Sequence, residues 1–140
     1  MANYDTNLAA EYHVMSCLHR LGMTASLTLG NKKGVDILVA RENGDAVTVE
    51  VKGVAKRYDW TLGEIGRDEL KCRNRHYFVL VTFNGNIADP KMPSPEVWVV
   101  PSPMLGSFIR YYKKRTNVSR SEIIKTGSLF KHAWSLISEG

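Results

Sequence analysis

The sequence predicts an α/β fold: one domain over residues 1–140, with a mixed central sheet flanked by helices. Three observations predict it: an amphipathic helix near the N-terminus, alternating strand segments that follow it, and a continuous apolar run later in the chain. Of the 140 residues, 44% are hydrophobic and 24% charged, which suits a globular domain with a substantial core.

The first element is a helix over residues 6–21, with Asp5 or Thr6 as its cap and Gly22 at its end. Its inward face has the i, i+3, i+4, i+7 spacing of a helix and consists of Val14, Cys17, Leu18 and Leu21. Glu11 lies in line with this face. It therefore either reaches solvent at the edge of the face or points toward a polar site in the protein.

Three strands follow at residues 23–29, 34–39 and 47–52, and the second and third alternate as strands do. Asn43-Gly44-Asp45 between them is a hairpin turn signal. A two-residue turn would put the two valine-rich rows on opposite faces, whereas a three-residue loop or a bulge puts them on one face. We therefore expect the longer loop, which also places Asp36 on the face of Glu50 and Lys52.

The remaining elements are read from local signals. Thr61-x-x-Glu64 resembles a capping box, which predicts a helix over residues 61–73. Residues 76–83 form a continuous apolar run typical of a strand buried on both faces. A further strand covers residues 96–100, and helices are expected at 103–114, 121–126 and 129–137.

Asp36, Glu50 and Lys52 put two carboxylates and an amine where a core would want hydrocarbon. Buried charges need partners, because an unpaired buried charge is costly. A divalent metal ion would meet that need. The alternative is a salt bridge of Lys52 with Asp36 or Glu50 on an exposed sheet face, which contributes about 0 to 1 kcal/mol.

The formal net charge of +5 favours a polyanionic partner such as nucleic acid. The basic residues are clustered, and each cluster is either a solvated face or a phosphate-binding surface. The candidates for nucleic-acid binding are Lys56, Arg57, Lys71, Arg73 and Arg75. Tyr58 and Trp60 follow the first of these, where Tyr58 suits base stacking and Trp60 suits either stacking or the core.

The sequence has two cysteines, and its four histidines show no zinc-like spacing with them. It has neither a charged-then-apolar leader nor an apolar run of about 18 residues. We therefore expect a reduced, cytoplasmic setting and no membrane association.

The order of elements, together with Glu11, Asp36 and Glu50-Val51-Lys52, resembles the PD-(D/E)XK nuclease superfamily, whose shared core is αβββαβ. The resemblance extends over roughly residues 6–102, is closest up to residue 53, and matches small bacterial or phage members. Val35 stands where the motif is named for Pro. The resemblance implies a restriction-endonuclease-like fold, here with added C-terminal helices.

The resemblance also implies a Mg²⁺-dependent endonuclease that hydrolyses phosphodiester bonds of nucleic acid, with DNA as the expected substrate. Asp36, Glu50 and the Val51 carbonyl would hold Mg²⁺, or alternatively Mn²⁺. Lys52 would orient the attacking water or steady transition-state charge, and Glu11 would hold a metal-bound water. A homodimer would supply two active sites. The alternative is a degenerate nuclease fold that binds nucleic acid, or serves in assembly, without catalysis.

Overall fold

The computed structural model describes residues 5–28, 35–63 and 65–139. In chain order its helices and strands are α1 (Thr6–Arg20), β1 (Thr24–Leu27), β2 (Ile37–Ala40), β3 (Ala46–Ala55), β4 (Trp60–Gly63), α2 (Arg67–Cys72), β5 (His76–Phe83), β6 (Glu96–Pro101), α3 (Ser102–Leu105), β7 (Ile109–Tyr111), β8 (Thr116–Val118), α4 (Arg120–Thr126) and α5 (Ser135–Glu139). Leu29, the predicted loop over residues 30–34 and Glu64 lie outside the described residues.

A five-stranded sheet in the order β1-β2-β3-β5-β6 forms the centre of the fold. Its strand pairs are antiparallel except for β3 and β5, which run parallel. A parallel pair needs a crossover connection, and β4 with α2 supply it here. The predicted mixed sheet is therefore confirmed.

Helix α1 begins where the sequence places it, because the Asp5 carboxylate accepts a 3.0 Å hydrogen bond from the Leu8 N–H. It ends one residue early, at Arg20, and Gly22 turns the chain with a φ of 83°. Leu21 was predicted to be part of the inward face, but it is 55% exposed because it lies beyond the last helical turn.

The β2–β3 hairpin has the predicted register. Ile37 lies opposite Val49 and Val39 opposite Val47, so one apolar face contains both rows. The chain between them reverses through the three residues 42–44, where Gly44 has a φ of 91°. The odd-length loop is therefore confirmed.

Two hydrophobic cores lie on the two faces of this sheet. The first is formed by α1 and α5 against alternating residues of β1, β2, β3 and β5. The second is formed by α2, α3, α4 and a three-stranded sheet in the order β4-β8-β7. Every residue of β5 is buried, as its continuous apolar run predicts.

The predicted helix over residues 61–73 is wrong in its first half. Residues 60–63 form β4, in which Trp60 pairs with Val118, and the helix covers only Arg67–Cys72. Gly63 has a φ of 77°, a left-handed conformation that interrupts a helix. Trp60 is fully buried and donates its indole N–H to the Val81 carbonyl at 3.0 Å, so it is a core residue.

Two predicted C-terminal helices are also shorter than expected. Residues 103–114 contain part of the four-residue α3, a single 3₁₀ turn at Gly106–Phe108 and then β7, because Ile109–Tyr111 pairs with β8. Residues 129–137 contain most of a 3₁₀ turn, a left-handed residue at His132 and only the start of α5. The helix predicted at 121–126 is confirmed as α4, with Ser119 as its cap. Among the described residues, no helix combines the length and apolar character needed to cross a bilayer.

Candidate active site

Asp36 lies just before β2 and is tied to the middle of β3. Its Oδ2 accepts a 2.7 Å hydrogen bond from the Val51 N–H, and its own N–H donates to the Val49 carbonyl at 2.9 Å. The N–H and C=O of one strand residue point to the same side of the strand. The Val51 carbonyl therefore faces the side on which Asp36 lies.

Glu50 precedes Val51 in β3, so its side chain lies on the opposite face of the sheet. It is only 8% exposed. Three nitrogen atoms surround its carboxylate: Lys52 Nζ at 3.5 Å, Arg73 Nη1 at 3.7 Å and His76 Nε2 at 4.0 Å. The Lys52 and Arg73 distances are those of ion pairs, whereas His76 is neutral at pH 7, and all three distances exceed the roughly 2.7–3.2 Å of a hydrogen bond. The carboxylate is thus in a positive environment while its lone pairs stay free of short hydrogen bonds to these groups.

Burial raises the pKa of Glu50 above its ordinary value, since a buried carboxylate is poorly solvated. Lys52 opposes that rise, Asp36 adds to it and Arg73 opposes it. The electrostatic influence of Asp36 on Glu50 means that the two carboxylates repel each other. A cation between them would stabilise both.

Glu11 reaches this region because α1 packs very closely on β3. A Cβ atom at Gly53 would lie 2.6 Å from the Ala10 Cβ, so only glycine permits this approach. Burial raises the pKa of Glu11, Asp36 and Asp5 raise it further, and Lys52 lowers it. Glu11 is partly exposed and lies close enough to Asp36 and Lys52 to feel their charges, and its contact with a metal-bound water stays a prediction.

A polar chain beside Glu50 was missed by the sequence analysis. The buried His76 lies with Nδ1 2.6 Å from Thr48 Oγ1 and Nε2 3.4 Å from Arg73 Nη1. Burial, followed by Arg73, lowers the pKa of His76 to about 4, so the ring is neutral at pH 7. Thr48 alternates with Glu50 along β3, and that alternation was the one signal for a polar face extending in this direction.

The basic candidates lie at the two ends of the central strands. Lys56 and Arg57 are exposed just beyond the carboxyl end of β3, whereas Lys71 and Arg75 are exposed near the start of β5. Since His76 pairs with Thr48 in parallel register, the two groups are separated by about eight residues, or roughly 26 Å of strand. Glu50 lies between them.

Arg73, the fifth candidate, contacts two carboxylates. Its Nη2 donates a 3.0 Å hydrogen bond to Glu69, and its Nη1 lies 3.7 Å from Glu50. Its guanidinium is therefore already held by acidic partners in this state, and its contact with nucleic acid stays a prediction.

The residues present fit a hard divalent ion that keeps several water ligands. Within residues 5–28, 35–63 and 65–139, no group of three or more His, Cys, Asp or Glu side chains is arranged so that it could hold a metal ion. Mg²⁺ does not need such a group, because it is commonly held by one or two carboxylates with water and substrate phosphate. Asp36, Glu50 and the Val51 carbonyl offer that kind of donor set.

No protein-family model matches the chain, and no curated protein matches its sequence. Among solved structures, it is similar to a bacterial homing endonuclease, I-Ssp6803I, with a TM-score of 0.52 and 13% identity over 94% of this chain and 88% of that one. It also matches Hjc of Archaeoglobus fulgidus, a Holliday junction resolvase from an archaeal hyperthermophile, with a TM-score of 0.49 and 16% identity over 87% of this chain and 95% of that one.

The likeness to the homing endonuclease extends over nearly the whole of both chains. The chain therefore has the restriction-endonuclease-like fold, as the resemblance of its sequence to the PD-(D/E)XK nuclease superfamily predicted.

Proposed function

We propose that the protein is a metal-dependent nuclease that hydrolyses phosphodiester bonds of nucleic acid, with DNA as the expected substrate. The single observation that carries the proposal is the convergence of Asp36 and Glu50 about Val51, where the Val51 N–H already contacts Asp36 and the two carboxylates repel each other. A nuclease-like fold supports it. Mg²⁺ is the proposed ion, and Mn²⁺ has the same oxygen preference.

Asp36, Glu50 and the Val51 carbonyl would hold the ion. When bound, such an ion supplies a water of lowered pKa and neutralises charge that develops on the phosphate. The Lys52 ammonium, 3.5 Å from Glu50, is suited to steady negative charge on the substrate or to orient a water. Glu11, whose pKa burial raises, is suited to accept a hydrogen bond from a water at the edge of the site.

For duplex substrates we propose that two copies act together, because symmetric placement supplies one site for each strand. The basic residues at both ends of β3 and β5 support a long contact with a phosphate backbone. Such contacts hold the nucleic acid without reading its bases.

The second candidate is a nucleic-acid-binding or assembly module without catalysis. The observation that favours it is the position of Arg73, whose guanidinium lies 3.7 Å from Glu50. Arg73 thereby partly neutralises the Glu50 carboxylate, as a bound metal ion would do. Under this alternative Lys52 and Arg73 would neutralise the site permanently. The protein would then bind nucleic acid and leave it intact.

A substrate panel separates the two candidates. Purified protein is incubated with supercoiled, linear, single-stranded and branched DNA and with RNA, each with Mg²⁺, Mn²⁺ or chelator. The nuclease proposal predicts cleavage of at least one substrate with metal and none with chelator. Binding without cleavage under every condition would support the second candidate instead.

A further inference from the structure

A groove of about 860 Å³ lies beyond the carboxyl ends of β3 and β5. Its wall includes Lys56, Arg57 and Arg120, but none of the carboxylate-site residues. Lys52 precedes Lys56 by four residues, which corresponds to about 13 Å along β3. The groove is thus a surface separate from the Asp36 and Glu50 site, and β3 runs from that site to the groove.

Arg120 is held in place by its surroundings. Its Nη1 donates a 3.1 Å hydrogen bond to Thr82 Oγ1, and its guanidinium carbon lies 5.9 Å from the centre of the Trp98 ring. The Arg120 N–H donates to Asp59 Oδ1 at 2.8 Å. A charged group that is fixed before a ligand arrives loses little freedom on binding. No signal in the sequence singled out this residue.

The carboxylate in the wall, Glu96, is already neutralised by the protein. Lys131 Nζ lies 2.8 Å from its Oε2, and Asn84 Nδ2 donates a 2.8 Å hydrogen bond to its Oε1. Glu96 therefore offers little repulsion to an anion. Lys56, Arg57 and Arg120 leave the groove with a net positive charge.

The groove also presents apolar surface. Tyr58 is 65% exposed and Ile124 is 52% exposed, and both line it beside the cationic groups. Lys56 holds a left-handed φ of 64°, which residues with a side chain adopt at a cost, and its N–H donates to the Phe83 carbonyl at 2.8 Å. The turn that presents Tyr58 is thus held in an unfavourable backbone conformation by a hydrogen bond to β5.

We propose that this groove binds an unpaired strand of nucleic acid, with phosphates on Lys56, Arg57 and Arg120 and a base stacked on Tyr58. In a duplex the bases stack on one another, so a duplex has no free base face to offer an exposed tyrosine. An unpaired strand has such faces, and basic grooves with aromatic platforms bind it without sequence preference. The inference rests on the proposed nuclease function and narrows its substrate class to nucleic acid that carries a single-stranded segment.

The test measures binding with chelator present, so that no substrate is cleaved. The probes are single-stranded DNA, single-stranded RNA, a blunt duplex and the same duplex with a single-stranded tail. The variants are Arg57→Ala, Tyr58→Ala and Tyr58→Phe, and both of these residues are exposed. The matched controls are Tyr112→Ala and Lys113→Ala, which remove an exposed tyrosine and an exposed lysine outside the groove.

Tyr58→Ala should weaken binding of single strands and tailed duplexes about tenfold, the scale of one stacked base, while Tyr58→Phe should retain it. Arg57→Ala should weaken binding of the same probes, because it removes a phosphate contact, whereas blunt-duplex binding should change little in Tyr58→Ala. Equal losses in the controls, an equal loss for the blunt duplex in Tyr58→Ala, or no loss of single-strand binding in Tyr58→Ala would each overturn the proposal. Comparison of DNA with RNA identifies which strand the groove accepts.

Cleavage assays with Mg²⁺ on the same probes separate the two proposals. If the parent protein cleaves and Tyr58→Ala binds single strands as the parent does, only the groove proposal is contradicted. If binding depends on the groove but no probe is cleaved, the nuclease proposal is contradicted and the groove proposal is supported. A parent protein that binds none of the probes would contradict both.

Discussion

The Val51 N–H donates a 2.7 Å hydrogen bond to the Asp36 carboxylate, and Val51 lies in the chain between Glu50 and Lys52. This bond fixes Asp36, which precedes one strand of the hairpin, against the middle of the other strand. Because asparagine can also accept a hydrogen bond, Asp36→Asn removes the charge while keeping an acceptor for Val51. The two properties of Asp36 are therefore experimentally separable.

His76 should make the free energy of unfolding depend on pH. Its pKa is ordinarily 6.5 and is lowered to about 4 in the folded protein, so between these values the unfolded chain binds a proton that the folded protein does not. The free energy of unfolding should therefore fall as the pH drops from 6.5 toward 4, by about 3 kcal/mol at most. Chemical denaturation at pH 6.5 and 4.5 measures the effect.

His76→Gln is the comparison, because glutamine can hydrogen-bond Thr48 but does not titrate. The variant should lose less stability than the parent over the same pH range, since the other titrating groups are common to both. If the two proteins lose the same amount, then His76 is not held neutral by burial.

Gly53→Ala should destabilise the protein by about 1–3 kcal/mol, the usual cost of overpacking. The added Cβ would lie 2.6 Å from the Ala10 Cβ and 3.0 Å from the Thr6 carbonyl oxygen, so α1 must move away from β3. Gly106→Ala is the control, since Gly106 has an ordinary φ of −54° and its added Cβ meets nothing within 4 Å. Thermal unfolding measures the stability of both variants. A Gly53→Ala protein as stable as the parent and the Gly106→Ala control would contradict the close packing of α1 on β3.

Arg41→Ala should cost about 1–3 kcal/mol, because it leaves buried acceptors without a partner. Arg41 is 7% exposed and donates to the Ile137 carbonyl at 2.6 Å and to the Tyr77 hydroxyl at 2.8 Å, which joins the hairpin to α5. The exposed Lys113→Ala should stay within about 0.5 kcal/mol of the parent. Urea denaturation measures both, and equal stabilities would show that the contact contributes nothing.

Nucleic-acid affinity should fall as salt rises, because each phosphate contact releases a counterion. The variant Lys56→Glu/Arg57→Glu should bind all sequences more weakly and show a shallower dependence of log affinity on log salt. The exposed pair Lys113→Glu/Lys114→Glu is the matched control for charge reversal. Affinity that is independent of salt, or identical slopes for the two double variants, would count against phosphate contact at Lys56 and Arg57.

Local sequence patterns were sufficient for the part of the fold that carries the candidate site. The alternating apolar residues of β2 and β3 share one face only when Val39 lies opposite Val47. That register also places Asp36 on the face of Glu50 and Lys52. The second sheet was missed because it is non-local: Trp60 pairs with Val118, and a local capping pattern favoured helix at the same residues.

The same reason explains the site residues that were missed. His76 meets Thr48 from 28 residues away, and Arg120 meets Thr82 from 38 residues away. Neither pair has a spacing that a helix or a hairpin would reveal.

The most direct test of the central claim is the single-turnover cleavage rate in Mg²⁺ of the parent, Asp36→Asn, Glu50→Gln and Glu42→Gln, on the best substrate of the panel. Asp36→Asn and Glu50→Gln should lower the rate on the order of a hundredfold or more, while nucleic-acid binding in chelator is retained. Glu42→Gln, at an exposed position in the same hairpin, should cleave like the parent. Parent-like cleavage by Asp36→Asn or Glu50→Gln would contradict the account.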